Sequence, residues 1–192
     1  MTPTSTHDWV ARSCDQTLVL GFRPVAGGVV IQAASAANVQ NFVQVWVPFH
    51  LYKAVTDTTW NYRLFPWDKI IPTITTFAAN AGAQTEGLLA IERLPNATKL
   101  KVRFLSTAPW NYGSQKQRVG IGSGLLAYAV HLAKAGGFSG AELSSTPESE
   151  TFYERMGWRK TGQRDQEQLN IFELDSDQVD GFLVRHPPLP FK

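Results

Sequence analysis

The sequence predicts an α/β domain, and two stretches carry that expectation. KLKVRFLST, Lys99 to Thr107, is β-rich. After a loop it gives way to QRVGIGSGLLAYAVHLAKAGG, Gln117 to Gly137, where three glycines precede an apolar helical pattern. GAELSS, Gly140 to Ser145, is a further short strand, and TPESETFYERMGW from Thr146 onward supplies another capped helix. Strand, turn, helix, strand, helix is the alternation from which helices come to flank a sheet.

Composition sets the bounds. The chain has 192 residues, 43% of them hydrophobic and 18% charged, which suits one buried core and a single domain over 1–192. A net charge of +2 from scattered basic residues gives no reason to expect nucleic acid or a membrane as partner. The lone Cys14 rules out an internal disulfide and a cysteine-based zinc site, in keeping with a reducing compartment. No basic segment followed by an apolar run opens the sequence, and no stretch approaches the roughly 18 apolar residues of a membrane span, so a cytoplasmic location is expected. His7, His50, His131 and His186 show no close metal-ligand spacing, and no metal is expected.

Taken in order, Leu18 to Phe22 and Val29 to Gln32 are short β-prone runs separated by Gly27 and Gly28. From Ala36 to Lys53, the apolar residues Val39, Phe42, Val43, Val45, Trp46, Val47 and Leu51 predict an amphipathic helix. Arg63 to Gly82 predicts a loop and then a helix, with Asp68 as its cap and Pro72 near its first turn. The aromatic residues Trp46, Phe49, Trp60, Phe65 and Trp67 suit either core or the lining of a cleft. Glu86 to Pro95 and Lys99 to Thr107 predict a hairpin across a Pro-Asn-Ala turn. Ile121, Leu125, Tyr128 and Leu132 then lie on one helical face, which Gly136 and Gly137 end. Thr146 caps the next helix, with Pro147 in its first position and Gly157 just past its end. Leu169 to Leu174 reads as a last strand and Asp175 to Val184 as a short helix before the HPPLPFK tail.

The glycine turn is the most specific feature. Glycines let the backbone turn tightly and approach a ligand, and the free amides at a helix start favour an anion such as phosphate. Gly120, Gly122 and Gly124 also suit plain close packing of a helix on a sheet. A P-loop would need a Gly-Lys-Ser or Gly-Lys-Thr end, and here Gly122-Ser123-Gly124-Leu125 carries no lysine. In the dinucleotide pattern the third glycine would fall on Leu125, and Glu142 lies at the start of the next strand, poorly placed for a ribose.

One further pattern is filled: Gln117-Arg118-Val119-Gly120-Ile121-Gly122, with Phe152-Tyr153-Glu154-Arg155-Met156-Gly157-Trp158 about thirty residues later. With these two motifs in this order, the chain resembles a GNAT N-acetyltransferase. The resemblance covers Glu86 to Leu174. It implies a mixed, mostly antiparallel central sheet flanked by helices, with 1–85 as the variable acceptor side, 86–174 as the acetyl-CoA-binding core and 175–192 as a C-terminal helix and tail.

The resemblance also implies roles for individual residues. Backbone amides of Arg118, Val119, Gly120, Ile121, Gly122 and Ser123, in the motif that begins at Gln117, would hold the pyrophosphate of coenzyme A. Leu105, Ser106 and Thr107 would pair with the pantetheine arm, which imitates a strand. Tyr153 would protonate the departing thiolate as acetyl passes to an amine, since a phenol of pKa about 10 stays protonated at neutral pH. Lys99 to Thr107 contains no carboxylate to act as base, so Glu92 on the neighbouring strand is the candidate. The loop Thr107 to Gln117 is longer than usual in the family, so that either Trp110, Asn111 and Tyr112 contribute to the acceptor or acetyl pocket, or Pro109 and Trp110 simply pack the loop down. Acetyl-CoA and an amine acceptor are the implied partners, with a homodimer open. The rival reading is a non-catalytic coenzyme A-binding sensor or scaffold of the same fold.

Overall fold

The structure is a computed structural model and describes residues 28–113 and 116–189. Seven strands form one sheet in the order β1-β2-β3-β4-β5-β7-β6. They are β1 (Val29–Ala33), β2 (Thr75–Ala81), β3 (Gln84–Glu92), β4 (Leu100–Thr107), β5 (Gly140–Ser145), β6 (Arg159–Arg164) and β7 (Asn170–Asp175). All neighbours run antiparallel except β4 and β5. The expected mixed, mostly antiparallel sheet is therefore present.

The central strands separate two cores by their period of two. On one face Phe77, Ala79, Leu89 and Ile91 pack under the apolar side of α4 (Ile121–Ala135) and, with it, α6 (Ser176–Arg185). On the other face Ala78, Leu88 and Ala90 meet Phe42, Trp46 and Trp67. Those aromatics come from a continuous helical segment, α1 (Ala36–Asn41), a π turn (Phe42–Trp46) and α2 (Val47–Thr56), and from the short α3 (Trp67–Ile70). A sheet buried on both faces explains why β3 reads as an apolar run rather than an alternating one. Gly87 lets α4 come close, because a Cβ there would stand 2.7 Å from Ile121 Cγ2 and Leu125 Cδ1.

One expectation is corrected, and one strand is added. Within Arg63 to Gly82 the predicted helix is confined to the four residues of α3, preceded by Pro66 at the cap position rather than Asp68, and Thr75 to Ala81 is strand β2. The alanines there suggest a helix by propensity, but pairing on both edges with β1 and β3 buries Thr76 to Asn80 and decides the backbone. Arg159 to Arg164, unassigned from the sequence, is the edge strand β6. Its residues RKTGQR are almost wholly exposed, so it carries no apolar alternation, and its charges blunt an open sheet edge. Leu18 to Phe22 and Cys14 lie outside the described residues. The hairpin, the helix after the glycine turn and β7 occupy the predicted positions to within three residues. No helix among the described residues is long and apolar enough to cross a membrane.

Candidate active site

The parallel pair is where the sheet opens. β4 and β5 are in register only from Leu100, Lys101 and Val102 against Ala141, Glu142 and Leu143. Beyond that point Phe104 to Thr107 pair with β3 alone, while Ser144 and Ser145 pair with β7 alone. The split starts at a bulge: Ile91 faces Val102 and Ala90 faces Phe104, so Arg103 is the extra residue in β4. A bulge bends its strand and raises its twist, which turns the rest of β4 away from β5.

The gap is a cavity of about 720 Å3. Leu105, Ser106 and Thr107 form one wall, Val119 to Ser123 close one end, and Tyr153 reaches it from α5 (Glu150–Arg155). Gln117 and Glu92 are not among the lining residues. All the other predicted site residues therefore converge on one cavity. Glu92 sits opposite Lys101 in the register and places its carboxylate 3.3 Å from Arg103 Nε.

The three glycines of the turn have different tasks. Gly120 caps α4 with φ 88° and ψ −1°, a left-handed geometry that a side chain would strain. At Gly122 a Cβ would touch only Thr107 Cγ2 at 3.4 Å and Phe152 Cζ at 3.9 Å, so a larger side chain would project into the cavity. Gly124 serves packing, since a Cβ there would lie 2.5 Å from Leu189 Cγ. The amides of Ile121, Gly122 and Ser123 occupy the first helical turn, where no intrahelical acceptor exists. Those of Gln117 and Arg118 are already used, on Trp110 O at 3.1 Å and Asn111 Oδ1 at 2.9 Å. Any anion-binding donors of the turn would thus begin after Arg118, later than the sequence motif suggests.

Tyr153 is 8% exposed, its ring set against Phe152, Trp158 and Phe172 at centroid distances of 5.2, 6.4 and 5.9 Å. Burial alone pushes its phenol up to about 12. The hydroxyl is therefore held in the protonated form, on the cavity wall.

One residue that sequence reading passed over organises the loop before the turn. Glu86 is the extra residue of a second bulge, between Ala79 facing Gly87 and Asn80 facing Thr85, and is 2% exposed. Its Oε2 accepts from Trp110 Nε1 at 2.8 Å and Asn111 Nδ2 at 2.7 Å, and its Oε1 from Arg118 Nε at 3.0 Å. The long loop is thus tied to β3 through one buried carboxylate. Trp110 is packed away, 6% exposed and edge-on to Trp46 and Phe49, whereas Asn111 and Tyr112 line the cavity. A glutamate opening an apolar strand was the available signal. Glu86→Ala is expected to cost roughly 2 to 3 kcal/mol of stability, because it strands the buried Trp110 and Asn111 donors. Urea denaturation of the variant against wild type checks it.

The aromatic region divides in the same way. Trp46 and Trp67 are 0% exposed core, while Phe65 and Tyr62 line the cavity. Tyr62 donates its hydroxyl to Thr107 O at 2.6 Å, and burial holds its phenol above the usual range.

A split between two parallel strands, a glycine turn at one end and a buried tyrosine on the wall are the arrangement that the sequence resemblance implies. The PaiA N-acetyltransferase from Thermoplasma acidophilum, in complex with coenzyme A, superposes with a TM-score of 0.55 at 17% identity, covering 77% of this chain and 99% of its own. A GNAT-family structure from Desulfovibrio desulfuricans does so with a TM-score of 0.57 at 14% identity, covering 78% and 99%. The family model described as "Acetyltransferase (GNAT) domain" matches residues 72–172, and the chain belongs to that family. No curated protein sequence matches the chain. Family membership supports acetyl transfer as the general activity.

Proposed function

We propose that the protein transfers acetyl from acetyl-CoA to an amine by direct attack within a ternary complex. The observation that supports this most is the convergence of three groups on one cavity: the unpaired edge of β4, the amides of Ile121 to Ser123, and the Tyr153 hydroxyl. Acetyl-CoA, when bound, supplies the thioester: a C–N bond to the amine forms as the C–S bond breaks. The first turn of α4 binds phosphate through its free amides and its dipole, helped by Lys116 and Arg118 beside it. Leu105 to Thr107 present strand edge to an extended amide chain. Tyr153 gives its proton to the leaving sulfur. Glu92 is not among the lining residues and is engaged by Arg103, so the attacking amine loses its proton to solvent. The cationic lining assists, because nearby like charges favour the neutral amine.

The rival role is a coenzyme A-binding sensor that performs no chemistry. Thiol release from acetyl-CoA, followed with a thiol reagent across a panel of amines, separates the two. Amine-dependent release is the expected result. Tight acetyl-CoA binding with no release for any amine would leave the sensor role standing.

A further inference from the structure

The cavity is strongly asymmetric in charge. Arg63, Arg103, Lys116, Arg118 and Arg155 line it, and Glu148 is the only carboxylate among its described lining residues. Lys116 and Arg118 belong to the glycine-turn end and suit phosphate. Arg103 does not. Thr107 Cγ2 lies within 3.4 Å of where a Cβ on Gly122 would stand, which fixes the C-terminal end of β4 beside the turn. Arg103 is four residues back along the strand, about 13 Å away at the usual rise per residue. It stands at the bulge, where the split begins and where the reacting end of an extended donor arm would arrive.

Arg103 is joined there by Arg63 through two phenylalanines. The Arg63 guanidinium lies over the Phe65 ring at 5.1 Å, Phe65 meets Phe104 at 5.3 Å, and the Arg103 guanidinium lies over Phe104 at 5.9 Å. All four line the cavity. Stacking on a ring fixes a guanidinium while leaving its in-plane N–H donors free for a planar anion. Arg63 is exposed and makes no ion pair among the described residues. Arg103 touches Glu92 through Nε, and both side chains are about two-fifths exposed, 41% and 38%. That contact orients the guanidinium rather than burying its charge.

We infer that the acceptor is an amine that also bears an anionic group, and that Arg63 and Arg103 hold that group beside the reacting end of the cavity. This rests on the acetyl-transfer reading above. An acceptor of several positive charges meets two guanidinium groups at this end, whereas a compact amino acid or aminoalkyl phosphate gains two charge-assisted contacts and an apolar flank from Phe65 and Phe104.

The test uses matched acceptors at saturating acetyl-CoA: an α-amino acid against its carboxamide, and an aminoalkyl phosphate against the plain amine. Calorimetry gives the acetyl-CoA affinity separately. Wild type is expected to favour the anionic member of a pair by about 10- to 100-fold in kcat/KM. Whichever pair shows the preference identifies the anion as carboxylate or phosphate. In Arg63→Gln the preference should shrink to within about 3-fold, in Arg63→Lys it should survive only in part, because lysine keeps the charge but not the stacked planar donors, and acetyl-CoA affinity should stay unchanged in both. Equal or faster transfer to the uncharged members, with acetyl-CoA bound, overturns this inference alone. Weakened acetyl-CoA binding in Arg63→Gln also overturns it, by assigning the guanidinium to the donor. Absence of both acetyl-CoA binding and thiol release overturns it together with the acetyl-transfer reading.

Discussion

Tyr153→Phe is expected to lower turnover by about 10²- to 10⁴-fold, the range of general acid catalysis, while acetyl-CoA affinity and melting temperature stay close to wild type. The variant keeps the ring that packs on Phe152, Trp158 and Phe172. It also strands no partner among the described residues, where the Tyr153 hydroxyl makes no hydrogen bond. The hydroxyl is thus an addition to the packing rather than a part of it.

The sign of its pH dependence follows from the same burial. In the proposed mechanism the protonated phenol is the active form, and its pKa is pushed up to about 12, so it would be lost only as pH rises toward that value. The pH–rate profile should therefore lack the falling limb near 10 that an ordinary tyrosine would give. A phenol this weak in acidity suits a thiolate leaving into the same dry wall, since burial raises the basicity of a thiolate too. Single-turnover transfer by Tyr153→Phe as fast as wild type would assign the residue to packing alone.

What the sequence made legible was whatever depends on local order. The glycine turn, the apolar stripe Ile121, Leu125, Tyr128 and Leu132, and the Phe152-Tyr153 pair are local patterns, and each has the position expected of it. What it hid depends on partners distant in sequence. β2 is a strand because β1 and β3 flank it, and its alanines say nothing of that. The bulges at Glu86 and Arg103 arise from register between strands, so neither the carboxylate that ties down the loop nor the point where the sheet opens could be read from β3 or β4 alone. The same holds for Arg63 and Arg103, forty residues apart and linked only through the rings between them. Spacing alone also merged the three glycines of the turn into one motif, although Gly124 faces Leu189 and not the cavity.

That division decides how the cofactor end is best tested. Valine at Gly120 would block the turn, but φ there is 88°, and a β-branched residue in that geometry adds backbone strain of roughly 1 to 3 kcal/mol that obscures any change in binding. Gly122 avoids the problem. It lies inside the first turn of α4, its Cβ position is in ordinary contact with Thr107 at 3.4 Å, and valine in place of glycine within a helix costs no propensity. The added methyls occupy the cavity where amides of the first turn would meet a pyrophosphate. Gly122→Val is therefore expected to weaken acetyl-CoA binding by about 10²-fold or more, the equivalent of one or two lost charge-assisted hydrogen bonds, with the melting temperature unchanged or slightly higher. Gly124→Ala is the control: pushing against Leu189 it should lower stability and leave affinity alone. Calorimetry and a melting curve on both variants read the two effects separately. Full affinity in a folded Gly122→Val protein would remove the phosphate from the turn, and with it the reason for placing the donor thioester beside Tyr153.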